Sequence, residues 1–359
     1  MIKNIEIFFR RLFLNLFLLF YGQKKKSTPQ LKNNSKILFI RLNRIGDALV
    51  TTPLFKIFKD SCNCKIDVLA DRKNHFVFSN NPHIDNIIVF KKGLNGFKES
   101  LNLINNNSYD IVVDLHDDVS TTVTFLIGMI KADSKISLKK ENNKVYNCII
   151  PKLDPATNHV VDRLLNIPKY LNIEFKKENV NIAYYPPQES FENAAKYLSL
   201  NELARKYLVG INISAGNDAR FWGVERFKEL IKSVNQYDVN ILILTAEKDL
   251  SKAQQIADNK YPIYYSERFD HFSAMISKLD FLFTPDTSIV HIASCFKIPM
   301  YGLYVKYKTD NLIWYPYASD YEAFVTLDAN FENVSFEKIE TDFIKYFEKN
   351  YYEKPNTRL

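Results

Sequence analysis

Two short stretches of this chain each combine a carboxylate, a backbone turn and a helix start. The first is Phe283-Thr-Pro-Asp-Thr-Ser-Ile-Val-His-Ile-Ala-Ser-Cys-Phe-Lys-Ile-Pro299. It opens at the end of an apolar run, Leu279 to Phe283, which Pro285 and Asp286 break. Thr287 and Ser288 supply hydroxyls of the kind that cap helix N-termini. A helix start gathers unpaired N–H groups and a partial positive charge at one point, which suits a phosphate or a nucleotide diphosphate. Asp286 and His291 flank that point and can hydrogen-bond sugar hydroxyls or phosphate. The competing reading is an ordinary strand-to-helix junction, with His291 a packed core histidine. The second stretch is Lys36-Ile-Leu-Phe-Ile-Arg-Leu-Asn-Arg-Ile-Gly-Asp-Ala-Leu-Val-Thr-Thr-Pro53. Gly46 permits a positive φ or a close backbone approach. Asp47 falls at or near a helix start, where its charge is stabilised; a plain N-cap is the competing reading.

The elements around both stretches are strands and helices in alternation. Short apolar runs at Ile37–Ile40, Lys65–Ala70, Asn86–Phe90, Ile111–Asp114, Lys135–Ser137 and Asn147–Ile150 read as strands. Helical patterns fall between them at Thr52–Lys59, Phe97–Asn105 and Ser120–Ile130. This is the pattern of a parallel sheet with crossover helices. Ala156–Leu171 reads as a longer helix. Tyr185-Pro-Pro187 marks a break, after which the alternation resumes: strands Tyr207–Ile213, Asn240–Thr245, Tyr261–Tyr265, Phe281–Thr284 and Met300–Val305, with helices between. Glu332–Lys349 reads as a last amphipathic helix. The expected organisation is an N-terminal helix and linker (1–35), an α/β domain (36–180), a second α/β domain (181–330) and a C-terminal helix (331–359). The two chemical stretches lie about 240 residues apart, one in each domain, which suggests a cleft with one on either side. There is no Gly-x-Gly-x-x-Gly and no Walker loop, which argues against a dinucleotide enzyme or an NTPase.

Composition narrows the partners. The net charge of +7 has a location. Residues 1–36 hold eight Lys and Arg against one acid, Glu6, and the remainder is balanced. The folded body therefore shows no bias toward nucleic acid. Within the basic segment, Ile5 to Tyr21 is rich in Phe and Leu, interrupted by Arg10 and Arg11 and followed by Lys24-Lys-Lys26. Its apolar run is shorter than the ~20 residues needed to span a bilayer. No small-residue cleavage site follows it. It reads as a helix in the membrane interface, with residues 1–26 meeting an anionic surface; packing on the body is the competing reading. Cys62, Cys64, Cys148 and Cys295 have no zinc-site spacing and read as reduced thiols.

Together, Arg-Leu-Asn-Arg-Ile-Gly-Asp47 and Asp286-Thr-Ser-Ile-Val-His-Ile-Ala293 resemble glycosyltransferase family 9, the heptosyltransferases of the lipopolysaccharide inner core. His159-Val-Val-Asp-Arg-Leu-Leu165 resembles the family's mid-chain segment. Asn212-Ile-Ser-Ala-Gly-Asn-Asp-Ala-Arg-Phe-Trp222 resembles its glycine-containing loop with a basic residue and Trp. The resemblance spans roughly residues 36 to 325. It implies an α/β fold of two Rossmann-like domains facing a cleft (GT-B type), with the last helix packing back on the first domain. It implies an inverting, metal-independent transfer of heptose from ADP-heptose to an anionic, lipid-linked glycan, with no cofactor, at the inner face of the cytoplasmic membrane of a Gram-negative bacterium.

The resemblance also distributes roles. Asp47 matches the proposed base, although a helix N-terminus lowers a carboxyl pKa and so weakens it as a base. Arg220, Asp286, Thr287, Ser288, His291 and Lys306 form the donor side. Arg41, Arg44, His159 and Arg163 form the acceptor side. Three departures bear on the donor. Arg220 stands where the family usually has Lys, Ser288 where it commonly has Gly, and Val305 where a glycine often opens the loop after Pro299. Another nucleotide sugar, or a non-catalytic nucleotide-binding scaffold, are the alternatives.

Overall fold

The computed structural model describes residues 14, 16–26, 28–217 and 220–353. The chain divides into two compact units, Met1–Val180 and Asn181–Leu359.

The first unit is built on six strands, β1 (Lys36–Arg41), β2 (Lys65–Asp71), β3 (Asn86–Phe90), β4 (Tyr109–Asp114), β5 (Ala132–Leu138) and β6 (Cys148–Ile150). Their order is β3-β2-β1-β4-β5-β6 and every pairing is parallel. The strands are apolar on both faces because helices cover both faces; Ile37 through Ile40 are all buried. Phe39, Phe55, Phe58 and Phe78 meet edge-on with centroids 5.1–5.7 Å apart, fastening the helix Thr52–Cys62 to β1. The order reverses between β1 and β4. Ligands of open α/β sheets bind outside the carboxyl ends of the strands at such a switch point.

The second unit repeats the plan with β7 (Tyr207–Asn212), β8 (Val239–Leu244), β9 (Ile263–Tyr264), β10 (Phe281–Pro285), β11 (Met300–Val305) and β12 (Tyr321–Thr326). The order is β12-β11-β10-β7-β8-β9, all parallel. Its switch point lies between β7 and β10. Trp222 is fully buried in this core and donates its indole N–H to the Val334 carbonyl at 2.7 Å.

The C-terminal helix Glu337–Glu353 buries its apolar stripe, Ile339, Phe343, Tyr346 and Phe347, in the core of the second unit. Phe343 packs on Phe283 and Tyr301, and Phe347 on Phe281, at 5.2–5.7 Å between centroids. These are outward faces of β10 and β11, and covering them is worth about 1.5–3 kcal/mol per side chain. Residues 354–359 lie outside the described part.

The N-terminal segment is described only in part. Residues 1–13, with Lys3, Arg10 and Arg11, lie outside the described part. Residues 16–21 are helical and pack on the first unit through Phe17 and Leu18. Phe17 meets Phe125 edge-on at 4.6 Å. Gly128 makes room for that ring: a Cβ there would lie 2.5 Å from it. The opposite side leaves Leu19 (73%) and Phe20 (83%) exposed. Among the described residues no helix is long and apolar enough to cross a membrane.

Candidate functional site

In the first unit, Asp47 is the third residue of the helix Ile45–Leu49, in its first turn. The N-cap position belongs to Arg44, whose side chain makes no capping hydrogen bond. Gly46 has no positive φ, since it lies inside the helix. Its use here is therefore not conformational.

Arg41 is held inside the protein. It ends β1 with its side chain 2% exposed. Nη2 donates to Asp47 Oδ1 at 2.6 Å and Nε to the Asp47 carbonyl at 3.0 Å, while Nη1 donates to the Leu115 carbonyl. Burial pulls the guanidinium below its ordinary pKa, with Asp47 pulling the other way. All three nitrogens thus have partners within the protein, two of them on Asp47. The Asp47 side chain is 20% exposed and stays open to a ligand. Arg44 is exposed at the same strand end.

A buried network that the sequence reading did not anticipate braces this loop from β4. Asp114, at the end of β4, meets His116 Nδ1 at 2.6 Å, Lys140 Nζ at 2.6 Å and the Tyr146 hydroxyl at 2.5 Å. Burial opposes its ionisation, yet Lys140 and His116 hold its carboxyl well below the usual range. His116 in turn approaches the Leu42 carbonyl with Nε2 at 2.6 Å. The β1 and β4 loops are thus tied together at the switch point.

The mid-chain pair makes contacts within the first unit. His159 is buried and caps the helix Val160–Tyr170, its Nδ1 accepting from the Val161 amide at 3.2 Å. Arg163 is buried and donates to Asp117 Oδ2 at 2.7 Å and to the Asn158 carbonyl at 2.8 Å. These contacts start the helix and tie it to the loop after β4.

In the second unit, the loops after β7 and β10 meet at the switch point. Arg220 Nη1 lies 2.8 Å from Asp286 Oδ2, with both side chains about one-third exposed (34% and 27%). Burial raises the Asp286 carboxyl above its ordinary value, and Arg220 opposes this. Asn212, the last residue of β7, donates to Thr284 Oγ1 on β10 at 2.8 Å, holding the strand ends in register. Thr287 is the N-cap of the helix Ser288–Cys295 and its hydroxyl accepts from the Ile289 amide. The Thr287 and Ser288 amides lie ahead of the first intrahelical acceptor and can serve an anion. His291 is 4% exposed, on the buried face of that helix, with its ring 6.3 Å from Trp314. Lys306 follows β11 and is half-buried; its amide continues the ladder to the Thr326 carbonyl. Among the described residues, no three His, Cys, Asp or Glu side chains form a metal-holding group.

Two parallel, doubly wound units, one with an ion-paired helix N-terminus at its switch point, define the GT-B class of glycosyltransferase fold. The chain belongs to glycosyltransferase family 9 (heptosyltransferase), whose family model matches residues 100–341. It is similar to the lipopolysaccharide core heptosyltransferase OpsX of Haemophilus influenzae, 22% identical over 75% of this chain and 78% of that protein. Its fold is similar to that of a family 9 glycosyltransferase from Veillonella parvula, with TM-score 0.78, 20% identity and coverage of 91% of this chain and all of that one. It is also similar in fold to the Escherichia coli heptosyltransferase WaaC with ADP, with TM-score 0.69, 14% identity and coverage of 87% and 99%.

Proposed function

We propose that this protein transfers a heptose from ADP-heptose to the inner core of lipopolysaccharide, with inversion at the anomeric carbon and without a metal. The observation that carries the reading is the Arg220–Asp286 pair beside the helix start at Thr287–Ser288, at the switch point of a family 9 chain. A similar protein of the family is described with ADP.

In this reading Asp47 takes the proton of the acceptor hydroxyl as its oxygen attacks the anomeric carbon. The bond to the diphosphate breaks on the opposite side, and ADP carries away the electron pair. The amides of Thr287 and Ser288, the guanidinium of Arg220 and the ammonium of Lys306 meet the charge that develops there. Asp286 accepts from hydroxyls of the donor. Arg44, exposed before Asp47, meets an anionic group of the acceptor. The exposed Leu19 and Phe20, with Lys24 and Lys25 following, meet an anionic membrane surface on which a lipid-linked acceptor is held. That surface is the inner face of the cytoplasmic membrane in a Gram-negative cell.

The test is an assay of the purified protein with ADP-heptose and defined truncated cores, in excess EDTA. A heptosylated core and ADP in equal amounts are expected. Transfer of a different sugar only, or ADP binding without transfer to any core, would replace this reading by one of its two alternatives. Activity restored only by Mg²⁺ or Mn²⁺ would overturn the metal-free part.

A further inference from the structure

Leu42, the residue after β1, presents both of its backbone groups to one ring nitrogen. His116 Nε2 lies 3.1 Å from the Leu42 amide nitrogen and 2.6 Å from the Leu42 carbonyl oxygen. An amide N–H only donates, and a carbonyl oxygen only accepts. One ring nitrogen therefore serves one of them at a time. Bare, it accepts from the amide; protonated, it donates to the carbonyl. The other ring nitrogen is already committed. Nδ1 is 2.6 Å from Asp114 Oδ1, and Asp114, paired with Lys140, is a carboxylate that only accepts, so Nδ1 carries a hydrogen. The charge of the ring thus decides which group of Leu42 it holds. The 2.6 Å approach to the carbonyl is the short distance of a charge-assisted bond. A bare Nε2 would set two lone pairs against each other there. The arrangement is that of the imidazolium.

The ring is buried, and every element around it brings charge. Asp114 stands on its own strand. Lys140 and Tyr146, from the segment between β5 and β6, both donate to Asp114 Oδ2, and Lys140 Nζ also donates to the His116 carbonyl at 2.9 Å. Arg41, paired with Asp47, comes from β1 and holds the neighbouring Leu115 carbonyl. Asp117 follows in the chain, paired with Arg163 and Lys152, and Asp118 is exposed beyond it. The turn that His116 holds is under tension. Asn43, next to Leu42, has φ 153°. A residue with a Cβ keeps such a backbone only where its neighbours fix it. On one side is Leu42, bound to His116. On the other is Arg44, whose carbonyl accepts from the Ala48 amide at 3.1 Å, one residue past Asp47.

We infer that His116 is a positioning residue for Asp47: as an imidazolium it holds the Leu42 carbonyl, and with it the turn that carries Asp47, and loss of its proton releases that turn. The inference rests on the reading of Asp47 as the base of the transfer. The coupling of His116 to Leu42 is testable without transfer.

Histidine is the residue type that ordinarily changes charge between about pH 5 and 8. The experiment therefore follows kcat for heptosyl transfer across about pH 5 to 9 in the wild type, His116→Gln and His116→Ala. A carboxamide can donate to the Leu42 carbonyl and accept from its amide at once, and it does not titrate. Wild-type kcat should fall on the alkaline side while KM for donor stays level. His116→Gln should keep turnover and lose that fall. His116→Ala should lose about tenfold or more in kcat with KM for donor unchanged, the scale of a slightly misplaced catalytic group. The second readout needs no substrate. In protein carrying isotope-labelled leucine and histidine, the Leu42 amide resonance should move with the midpoint of the His116 ring, and it should stay fixed in His116→Gln. Matched thermal midpoints check that the Gln variant keeps the fold. An alkaline fall that survives His116→Gln, a folded Gln variant without turnover, or full kcat in His116→Ala overturns the inference. So does a Leu42 amide that ignores the titration of His116. Coupled resonances in a wild type that transfers no sugar from ADP-heptose count against the proposed function and leave the hold of His116 on Leu42 standing.

Discussion

Arg41 Nη2 is 2.6 Å from Asp47 Oδ1, and the same guanidinium holds the Asp47 carbonyl and the Leu115 carbonyl. The carboxylate proposed as base is therefore aimed by a buried arginine and not left to rotate at a surface turn. Replacing Asp47 by Asn keeps the shape and removes the proton acceptor. Asp47→Asn should lower kcat by roughly two to four orders of magnitude, the scale of general base catalysis. ADP affinity, read by calorimetry, should stay the same. Near-normal turnover would remove Asp47 from the mechanism.

Arg41→Lys separates charge from geometry. A lysine keeps the cation but cannot hold the three acceptors in one plane. Turnover should fall by about tenfold or more with KM for donor unchanged, while the thermal midpoint drops modestly. A variant with full turnover would show that aiming Asp47 is not Arg41's role.

Arg220→Ala tests the donor side. The residue makes its ion pair with Asp286 at a partly exposed site, so its loss should leave stability nearly unchanged. ADP binding should weaken by about 1.5–3 kcal/mol, the value of a charged hydrogen bond. Unchanged affinity would place the diphosphate away from Arg220.

The Asp114 network makes a prediction about acid. Lys140 and His116 hold the Asp114 carboxyl below its unfolded value, against burial. A depressed carboxyl contributes stability above its unfolded pKa, about 3.9, and loses it as pH falls toward the folded value. Asp114→Asn should therefore cost roughly 3–5 kcal/mol at pH 7, as expected when one partner of a buried pair is removed. The gap between variant and wild type should narrow below about pH 4. Denaturant unfolding at pH 7 and pH 3 gives both numbers. A gap that does not narrow would mean that Asp114 carries no such charge.

The strand order of both sheets could not be read directly, but the strands themselves could. Continuous runs such as Ile37–Ile40 and Phe281–Phe283 announce buried parallel strands because both faces are covered. The edge strand Tyr321–Thr326 escaped because it is only partly buried and carries Glu322 among apolar residues. The helix Gln188–Leu200 escaped because Pro186 and Pro187 read as a break, whereas Pro187 is its N-cap. The placement of Asp47, Asp286 and Thr287 at strand-to-helix junctions was legible because that pattern is local. The burial of Arg41, His159, Arg163 and His291 was not, because distant elements supply it. The Asp114–His116 network was invisible for the same reason. It depends on β1 lying beside β4, which no spacing along the chain encodes.

The two sides of the N-terminal helix differ in exposure. Phe17 and Leu18 are seated on the first unit beside Phe125 and Gly128. Leu19 and Phe20 face solvent, and the exposed Lys24 and Lys25 follow them. An apolar patch next to lysines suits the interface of an anionic bilayer, where each basic residue contributes about 1 kcal/mol and salt screens it within ~8 Å. The double variant Leu19→Ser, Phe20→Ser should lose vesicle binding with no fall in thermal midpoint. Phe17→Ala should cost about 1–2 kcal/mol of stability through lost packing. Lys24→Glu with Lys25→Glu should abolish the salt-sensitive part of binding. Deleting residues 1–30 should spare turnover of a water-soluble acceptor and impair turnover of one held in vesicles. If the Leu19, Phe20 variant sediments with anionic vesicles as well as the wild type does, the exposed side of this helix is not a membrane contact.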